Sequence, residues 1–275
     1  MHPAVFADLS LARRLERAEG NANARFVEAH ARLDPGAGFQ WVEVAGAYAM
    51  YDGPSSPSTQ TFGLGLFQMP QAADMDRLEA FFQDRGSPVF HEVSPLADKG
   101  LLALLGERGY RPIELTTVHF LPLETRVPAR VENGPIEVRL VSGEEQDLWA
   151  RTAAEGWREF TEFRDLIQDL MRVAASREDG LSFLAELDGQ PIAAGSLAIH
   201  DGVALLAGAS TIPEWRRRGA QRALLESRLA YAARAGCDLA MICAEPGSAS
   251  QRNAEREGFR IAYTRIKWRL TASQA

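Results

Sequence analysis

The segment of this 275-residue chain best equipped for chemistry is Ser210-Thr211-Ile212-Pro213-Glu214-Trp215-Arg216-Arg217-Arg218-Gly219-Ala220-Gln221-Arg222-Ala223-Leu224. An apolar run leads into it, Pro213 stops that run, and good helix formers follow Gly219. The first turn of a helix leaves several backbone N–H groups without partners, and the helix dipole adds about half a positive charge there. Small residues at Gly219 and Ala220 let an oxygen anion come within hydrogen-bond distance of those amides. Between Trp215 and Leu225 there are four arginines and no carboxylate. Cations at a helix start oppose the dipole by roughly 0.3–1 kcal/mol each, a cost that a bound anion would offset. The length of the turn suits a diphosphate better than a single carboxylate. A merely solvated basic helix start is the alternative that this turn alone leaves open.

The elements around the turn have a readable order. Trp149 to Phe160 and Asp165 to Ala175 show helical spacing. Phe183 to Leu187 reads as a strand, with a hairpin signal at Asp188-Gly189. Ile192 to Ile199 and Val203 to Ile212 are further strands about the turn at Asp201-Gly202. A helix from Gly219 to about Ala235, a strand at Leu239 to Cys243 and a helix at Ser250 to Glu257 follow. Ile261 to Leu270 is an extended segment expected to close this unit. The pattern predicts an α/β chain with a mixed, mostly antiparallel sheet flanked by helices.

The first half repeats this order. Glu107-Arg108-Gly109-Tyr110-Arg111 echoes Arg256-Glu257-Gly258-Phe259-Arg260. Gly86 follows an amphipathic stretch (Met75, Leu78, Phe81, Phe82) and precedes Val89 to Val93, as Gly236 follows Leu225, Leu229 and Ala232 and precedes Leu239 to Cys243. Val118 and Phe120 alternate in one final run, Ile266 and Trp268 in the other. Three echoes in one order indicate two copies of one unit, divided at 1–128 and 129–275 by a Pro- and Gly-containing linker near residues 122–136.

Composition sets bounds. Hydrophobic residues at 46% and charged residues at 24% are those of a soluble globular chain. A net charge of −7 argues against diffuse binding to nucleic acid or anionic membranes. No window is apolar for long enough to span a bilayer, and no secretory signal pattern opens the chain, so a cytoplasmic location is expected. Cys237 and Cys243 lack a metal-ligand pattern and read as reduced thiols, and no metal is expected.

Arg216-Arg217-Arg218-Gly219-Ala220-Gln221 resembles the acyl-CoA pyrophosphate loop of the GNAT superfamily of N-acetyltransferases. That loop runs Arg or Gln, two residues, Gly, one residue, then Gly or Ala. The likeness extends over residues 136–270 through the hairpin at Asp188-Gly189-Gln190-Pro191, the strand ending Thr-Ile-Pro-Glu and the late Glu-Gly-Phe. It implies two tandem GNAT-like domains, with acetyl-CoA as acyl donor in the second. The implied cofactor contacts are Ser210, Thr211 and Ile212 through the backbone of the fourth strand, then Arg216, Arg217, Arg218, Gly219, Ala220, Gln221 and Arg222, together with Asn253. Gln221 departs from the Gly or Ala of the pattern, which puts close packing there in question. The implied activity is direct transfer of an acetyl group to a primary amine of a small or amino-acid-like acceptor, by a monomer that is an internal pseudo-dimer or by a homodimer. A non-catalytic acyl-CoA-binding or regulatory module is the alternative. A nucleic-acid contact at the arginines is disfavoured by the acidic net charge and by the lack of interleaved aromatic residues.

The catalytic groups are not legible. A lysine-like amine costs about 4.6 kcal/mol to deprotonate at pH 7, an α-amino group only about 1 kcal/mol, so a dedicated base matters far more for the first. Relatives often carry a glutamate on the fourth strand, but Val203 to Ala209 has no acid. Many carry a tyrosine five residues before the Phe of the Gly-Phe pair; that position is Ala254 here. Ser250 and Asn253, one helical turn apart, are the candidates near the thioester, with Ser250 as a helix cap the competing reading. Glu155, Glu159 and Glu162, at i, i+4 and i+7, fall on one helical face that could look onto an acceptor pocket or onto solvent, and His200 beside Asp201 reads as a polar turn residue or as a base facing that pocket.

The matching place in the first half reads Gly65-Leu66-Phe67-Gln68-Met69-Pro70-Gln71-Ala72-Ala73-Asp74-Met75-Asp76. It has two aspartates where the anion would sit and no arginine before Arg77. Negative charge there suits the dipole and repels phosphate, so this half is expected not to bind CoA, and Trp41, Tyr48, Phe62 and Phe67 are expected in its core. Replacing Arg218 and Arg222 by Glu is expected to abolish stabilisation by acetyl-CoA in a thermal-shift measurement. Replacing Asp74 and Asp76 by Ala is expected to leave it intact; equal loss in both pairs would refute the proposed division of labour.

Overall fold

The computed structural model describes residues 5–123 and 134–271. The chain forms two compact units, residues 1–121 with 241–275 and residues 122–240. The expected boundary at 128/129 lies outside the described residues. This grouping by packing assigns the last 35 residues to the first unit, so it is a different partition from the two sequence copies.

In unit 1 the long helix α1 (Leu9–Leu33) starts at Asp8, whose carboxylate accepts from the Leu11 amide. It buries Leu11, Leu15, Ala18, Ala22 and Val27 along one stripe, and Glu16 and Glu19 with them. Strands β1 (Gln40–Val44) and β2 (Ala47–Tyr51) form a hairpin whose turn places Ala45 and Gly46 at positive φ. Strand β3 (Gln60–Phe62) pairs antiparallel with β2 and parallel with β4 (Phe90–Val93). Helix α2 (Ala72–Gln83) precedes β4, and α3 (Gly100–Glu107) precedes β5 (Tyr110–Pro122). Met75, Leu78, Phe82, Leu101, Leu105 and Tyr110 fill the core between these helices and the sheet. Of the four aromatics expected in this core, Phe62 is buried, whereas Trp41, Tyr48 and Phe67 are half-buried. The Arg17 guanidinium lies over the Tyr48 and Phe67 rings.

The last strand, β11 (Arg260–Leu270), corrects one expectation. It does not close the second copy but lies between β4 and β5, antiparallel to both, with Ile266 opposite Val93 on one side and Leu115 on the other. The two repeat-equivalent strands β5 and β11 are therefore direct partners, running from Arg260↔Phe120 to Leu270↔Tyr110. An alternating strand presents the same hydrogen-bonding groups to any neighbour, and sequence pattern alone does not choose among neighbours. The repeat glycines adopt matching backbone: Gly86 and Gly236 at φ 66° and 83°, Gly109 and Gly258 at 85° and 91°.

A charge cluster pins β11. Arg265, only 2% exposed, meets Glu16 at 3.3 Å, Glu92 at 3.4 Å and Glu19. The Tyr263 hydroxyl donates to Glu16 at 2.9 Å, and the Cys243 thiol to Glu19 at 3.3 Å. Three buried carboxylates face one guanidinium here. Burial pushes the Glu16 carboxyl up to about 7, against the pull of Arg265 and with a push from Glu19.

Unit 2 is an antiparallel meander in the order β9-β8-β7-β6: β6 (Ile136–Leu140), β7 (Leu181–Leu187), β8 (Gln190–His200) and β9 (Val203–Thr211). Both expected turns are present, with Asp188-Gly189 and Asp201-Gly202 at positive φ. Strand β6 extends the three strands read from sequence to four. Helix α4 (Gln146–Glu155) and α5 (Arg164–Ala175) cover one face, where Trp149, Ala153, Leu184 and Ala194 cluster and the Trp149 indole donates to the Phe183 carbonyl. Helix α6 (Ala220–Arg234) packs on β8 from the other face, with Arg228 against Gly195. Strand β10 (Leu239–Ala244) crosses the division between the units, and α7 (Ala249–Arg256) follows in unit 1. No described helix is long and apolar enough to cross a membrane.

A carboxyl raised on folding stabilises the fold when protonated; that contribution is complete below its ordinary value and is lost as pH rises through the folded value. Glu16→Gln keeps the uncharged shape at every pH. Wild-type stability is therefore expected to fall more than that of Glu16→Gln between about pH 5 and pH 8. Denaturant midpoints of both proteins at the two pH values check this, and parallel pH dependence would refute it.

Candidate acyl-donor site

Strand β9 ends at Thr211, and Pro213 opens a single 3-10 turn over Pro213–Trp215. The chain then takes an uncommon path, with Arg216 extended, Arg217 at φ 63° and Gly219 at φ 94° as the cap of α6. A β-carbon at Gly219 would meet nothing within 4 Å, so the backbone there faces open space. The first hydrogen bond of α6 runs from the Ala223 amide to the Gly219 carbonyl at 3.0 Å. Among the described residues the amides of Arg217, Arg218, Gly219, Ala220 and Gln221 have no backbone acceptor. The turn thus presents consecutive N–H groups without backbone acceptors, a chemistry that fits the diphosphate of a nucleotide thioester.

The arginines divide. Arg216 points away from these amides: it donates to the Thr211 carbonyl at 3.3 Å and the Gly156 carbonyl at 3.1 Å, and pairs with Glu159. Arg222 pairs with Glu226 at 2.8 Å. Arg217 and Arg218 have no carboxylate partner among the described residues, and Arg218 lies 4.8 Å from the centroid of the Trp215 ring. Gln221, the departure from the family pattern, turns back onto β9 and donates to the Thr211 hydroxyl at 2.8 Å.

The β9 contacts are narrower than expected. Ser210 is buried and its hydroxyl donates to the Ala153 carbonyl at 2.8 Å. The Ile212 amide donates to Ile192 O, and its carbonyl accepts from Trp215. The Ile212 N–H therefore has no free hydrogen to offer a ligand. Gly156 packs so closely that a β-carbon would fall 2.4 Å from Ser210 Oγ and 3.1 Å from the Thr211 amide.

One residue of this region escaped the sequence reading. Arg228, 3% exposed, donates to Leu224 O at 3.2 Å, Ser196 O at 2.9 Å and Ala207 O at 3.3 Å, with no carboxylate among its described contacts. Burial brings its guanidinium down to about 10. It sits beneath the irregularity where Ala194↔Ser210 gives way to Ser196↔Ala207, so Gly208 and Ala209 face one residue, Gly195. A β-carbon at Gly195 would lie 3.1 Å from the Arg228 guanidinium carbon. Its signal was an arginine within the otherwise apolar stripe Leu224, Leu225, Leu229 and Ala232.

Helix α4 ends at Glu155, and Thr161–Phe163 forms a separate 3-10 turn, so Glu155, Glu159 and Glu162 do not share a helical face. Glu155 pairs with Arg158 and Glu159 with Arg216. His200 ends β8, 3.5 Å from Asp201. On α7 the helix cap is Ser248, accepting from the Gln251 amide, rather than Ser250. Ser250 and Asn253 are exposed there, and Ala254 is buried.

The profile of the acetyltransferase (GNAT) family matches residues 145–259. That segment resembles the GNAT family, and it spans less than half of the chain. The chain's fold is similar over 96% of both chains to a GCN5-related N-acetyltransferase from Kribbella flavida, at 19% identity and TM-score 0.64. It is also similar over 98% of both chains to a tandem GNAT protein from the clavulanic acid biosynthesis pathway, at 13% identity and TM-score 0.60. A GCN5-related N-acetyltransferase from Sphaerobacter thermophilus shares 20% identity over 81% of this chain and 76% of its own, at TM-score 0.56. No curated protein matches the sequence.

Gly156→Ala is expected to destabilise unit 2 by about 1–3 kcal/mol through overpacking against β9. A thermal midpoint equal to that of the wild type would show that the α4–β9 contact yields freely.

Proposed function

We propose that this chain is an acetyl-CoA-dependent N-acetyltransferase that passes an acetyl group directly to a primary amine of a small acceptor. One observation carries the reading: the amides of Arg217 to Gln221, which have no backbone acceptor among the described residues, inside a segment that matches the acetyltransferase (GNAT) family. When bound, acetyl-CoA would supply a thioester carbonyl open to attack by an amine. Arg217, Arg218, Gly219, Ala220 and Gln221 would hold its diphosphate by their backbone N–H groups, with the Arg217 and Arg218 side chains adding charge. The Gln221 side chain ties the loop to β9, which leaves only its backbone N–H for the anion.

The first sequence copy, residues 1–128, serves in this reading as a degenerate GNAT-like domain without CoA, and residues 129–275 as the copy that carries the acyl-donor site. Its α2 supports that assignment. Asp74 there accepts from the Gln71 amide at 2.9 Å in a capping box, and Asp76 pairs with Arg108. The helix start that would hold an anion carries its own carboxylate. The absence of an acid on β9 and the bare methyl of Ala254 favour a second reading, a non-catalytic acyl-CoA-binding module.

Combined Arg217→Glu and Arg218→Glu substitution is expected to remove stabilisation by coenzyme A and acetyl-CoA. Free-thiol release over a panel of amines separates the two readings. Turnover supports the transferase, stabilisation without turnover supports the binding module, and no stabilisation by either ligand removes both.

A further inference from the structure

Unit 2 holds a cavity of about 840 Å³ between α4 and α5, within the size range of small-molecule sites. Its charged lining consists of Arg151, Arg158, Arg164 and Arg172 with Asp147 and Glu155. Glu155 is already neutralised by Arg158, which also reaches Glu214, and Arg172 pairs with Asp169. Among the described residues, Arg151 and Arg164 have no carboxylate or hydrogen-bond partner, against one uncommitted acid, Asp147. Arg164 is the first residue of α5, where the helix dipole disfavours a cation. Trp157, Ile167 and Ile212 supply an apolar wall, and Ile212 brings the cavity to the end of β9.

We infer that this groove binds an acceptor through a carboxylate paired with Arg151 and Arg164, so that the substrates are α-amino acids with apolar or aromatic side chains rather than polyamines. The inference deepens the acetyltransferase reading and rests on it. Guanidinium is the side chain suited to paired recognition of a carboxylate. A wall with two uncommitted cations and one acid repels a polyamine. The pairing also bears on the missing base: a carboxylate neutralised by arginine no longer stabilises the nearby ammonium, which gives up its proton more readily. The step forms an amide bond between the amine nitrogen and the acetyl carbon and breaks the carbon–sulfur bond; of the two protons the ammonium loses, one passes to water and the other to the departing thiolate, which leaves as the thiol.

The test uses the full chain with acetyl-CoA and three matched pairs: leucine, phenylalanine and tryptophan, each beside its carboxamide, with spermidine as the polyamine. Stabilisation by each compound and free-thiol release are read separately. The carboxylates are expected to bind and react with kcat/KM roughly ten- to a hundredfold above their amides. Arg151→Gln and Arg164→Gln are expected to raise KM for the carboxylates and bring that ratio toward one, while stabilisation by acetyl-CoA persists. Equal or better use of the amides or spermidine overturns the inference, as does a carboxylate preference that survives both substitutions. A protein stabilised by acetyl-CoA but by none of the carboxylates keeps the cofactor reading and loses this one. A protein stabilised by carboxylates through the two arginines but not by acetyl-CoA loses the cofactor reading and keeps the groove.

Discussion

Five consecutive backbone amides, Arg217 to Gln221, have no backbone acceptor among the described residues ahead of the first closed turn of α6, and this is the constraint around which the loop is built. Backbone N–H groups are rarely left without partners unless water or a ligand meets them. Three devices keep these exposed: Pro213 ends the strand, Arg217 and Gly219 adopt positive φ, and Gln221 anchors the loop to Thr211. Arg216 contributes from behind, tying the loop to the Gly156 carbonyl and Glu159. Guanidinium groups thus do two jobs in one short segment, and the sequence motif does not distinguish them.

The two units treat a helix start in opposite ways. In unit 1, α2 meets its own Asp74 in a capping box, the usual way to satisfy such amides. In unit 2, α6 is capped by a glycine that has no side chain to offer. The contrast follows from single residue types at matching places. On the proposed reading, this difference keeps an anion site in one copy and closes it in the other.

Legibility from sequence tracked how local the signal was. The turns at Asp188-Gly189 and Asp201-Gly202, helix α6 and strand β10 were visible because glycine, proline and apolar spacing act within a few residues. Helix α1 was not read, since Glu16 and Glu19 interrupt its apolar stripe and their partner Arg265 lies about 250 residues away. The same distance hid the place of β11, because neither its alternation nor its echo of β5 names a neighbour. At the site, the loop was legible as a motif, while the opposed roles of Arg216 and Arg217 and the buried position of Arg228 depended on packing.

The position of β11 has a consequence for synthesis. Chains emerge from the ribosome N-terminus first, and domains ordinarily fold in that order. Unit 1 departs from it: β4 and β5 have to wait, with an unfilled slot between them, until residues 260–270 have been made. Strands made early are thus completed late, and a chain interrupted before residue 260 would leave the facing edges of β4 and β5 exposed to aggregation.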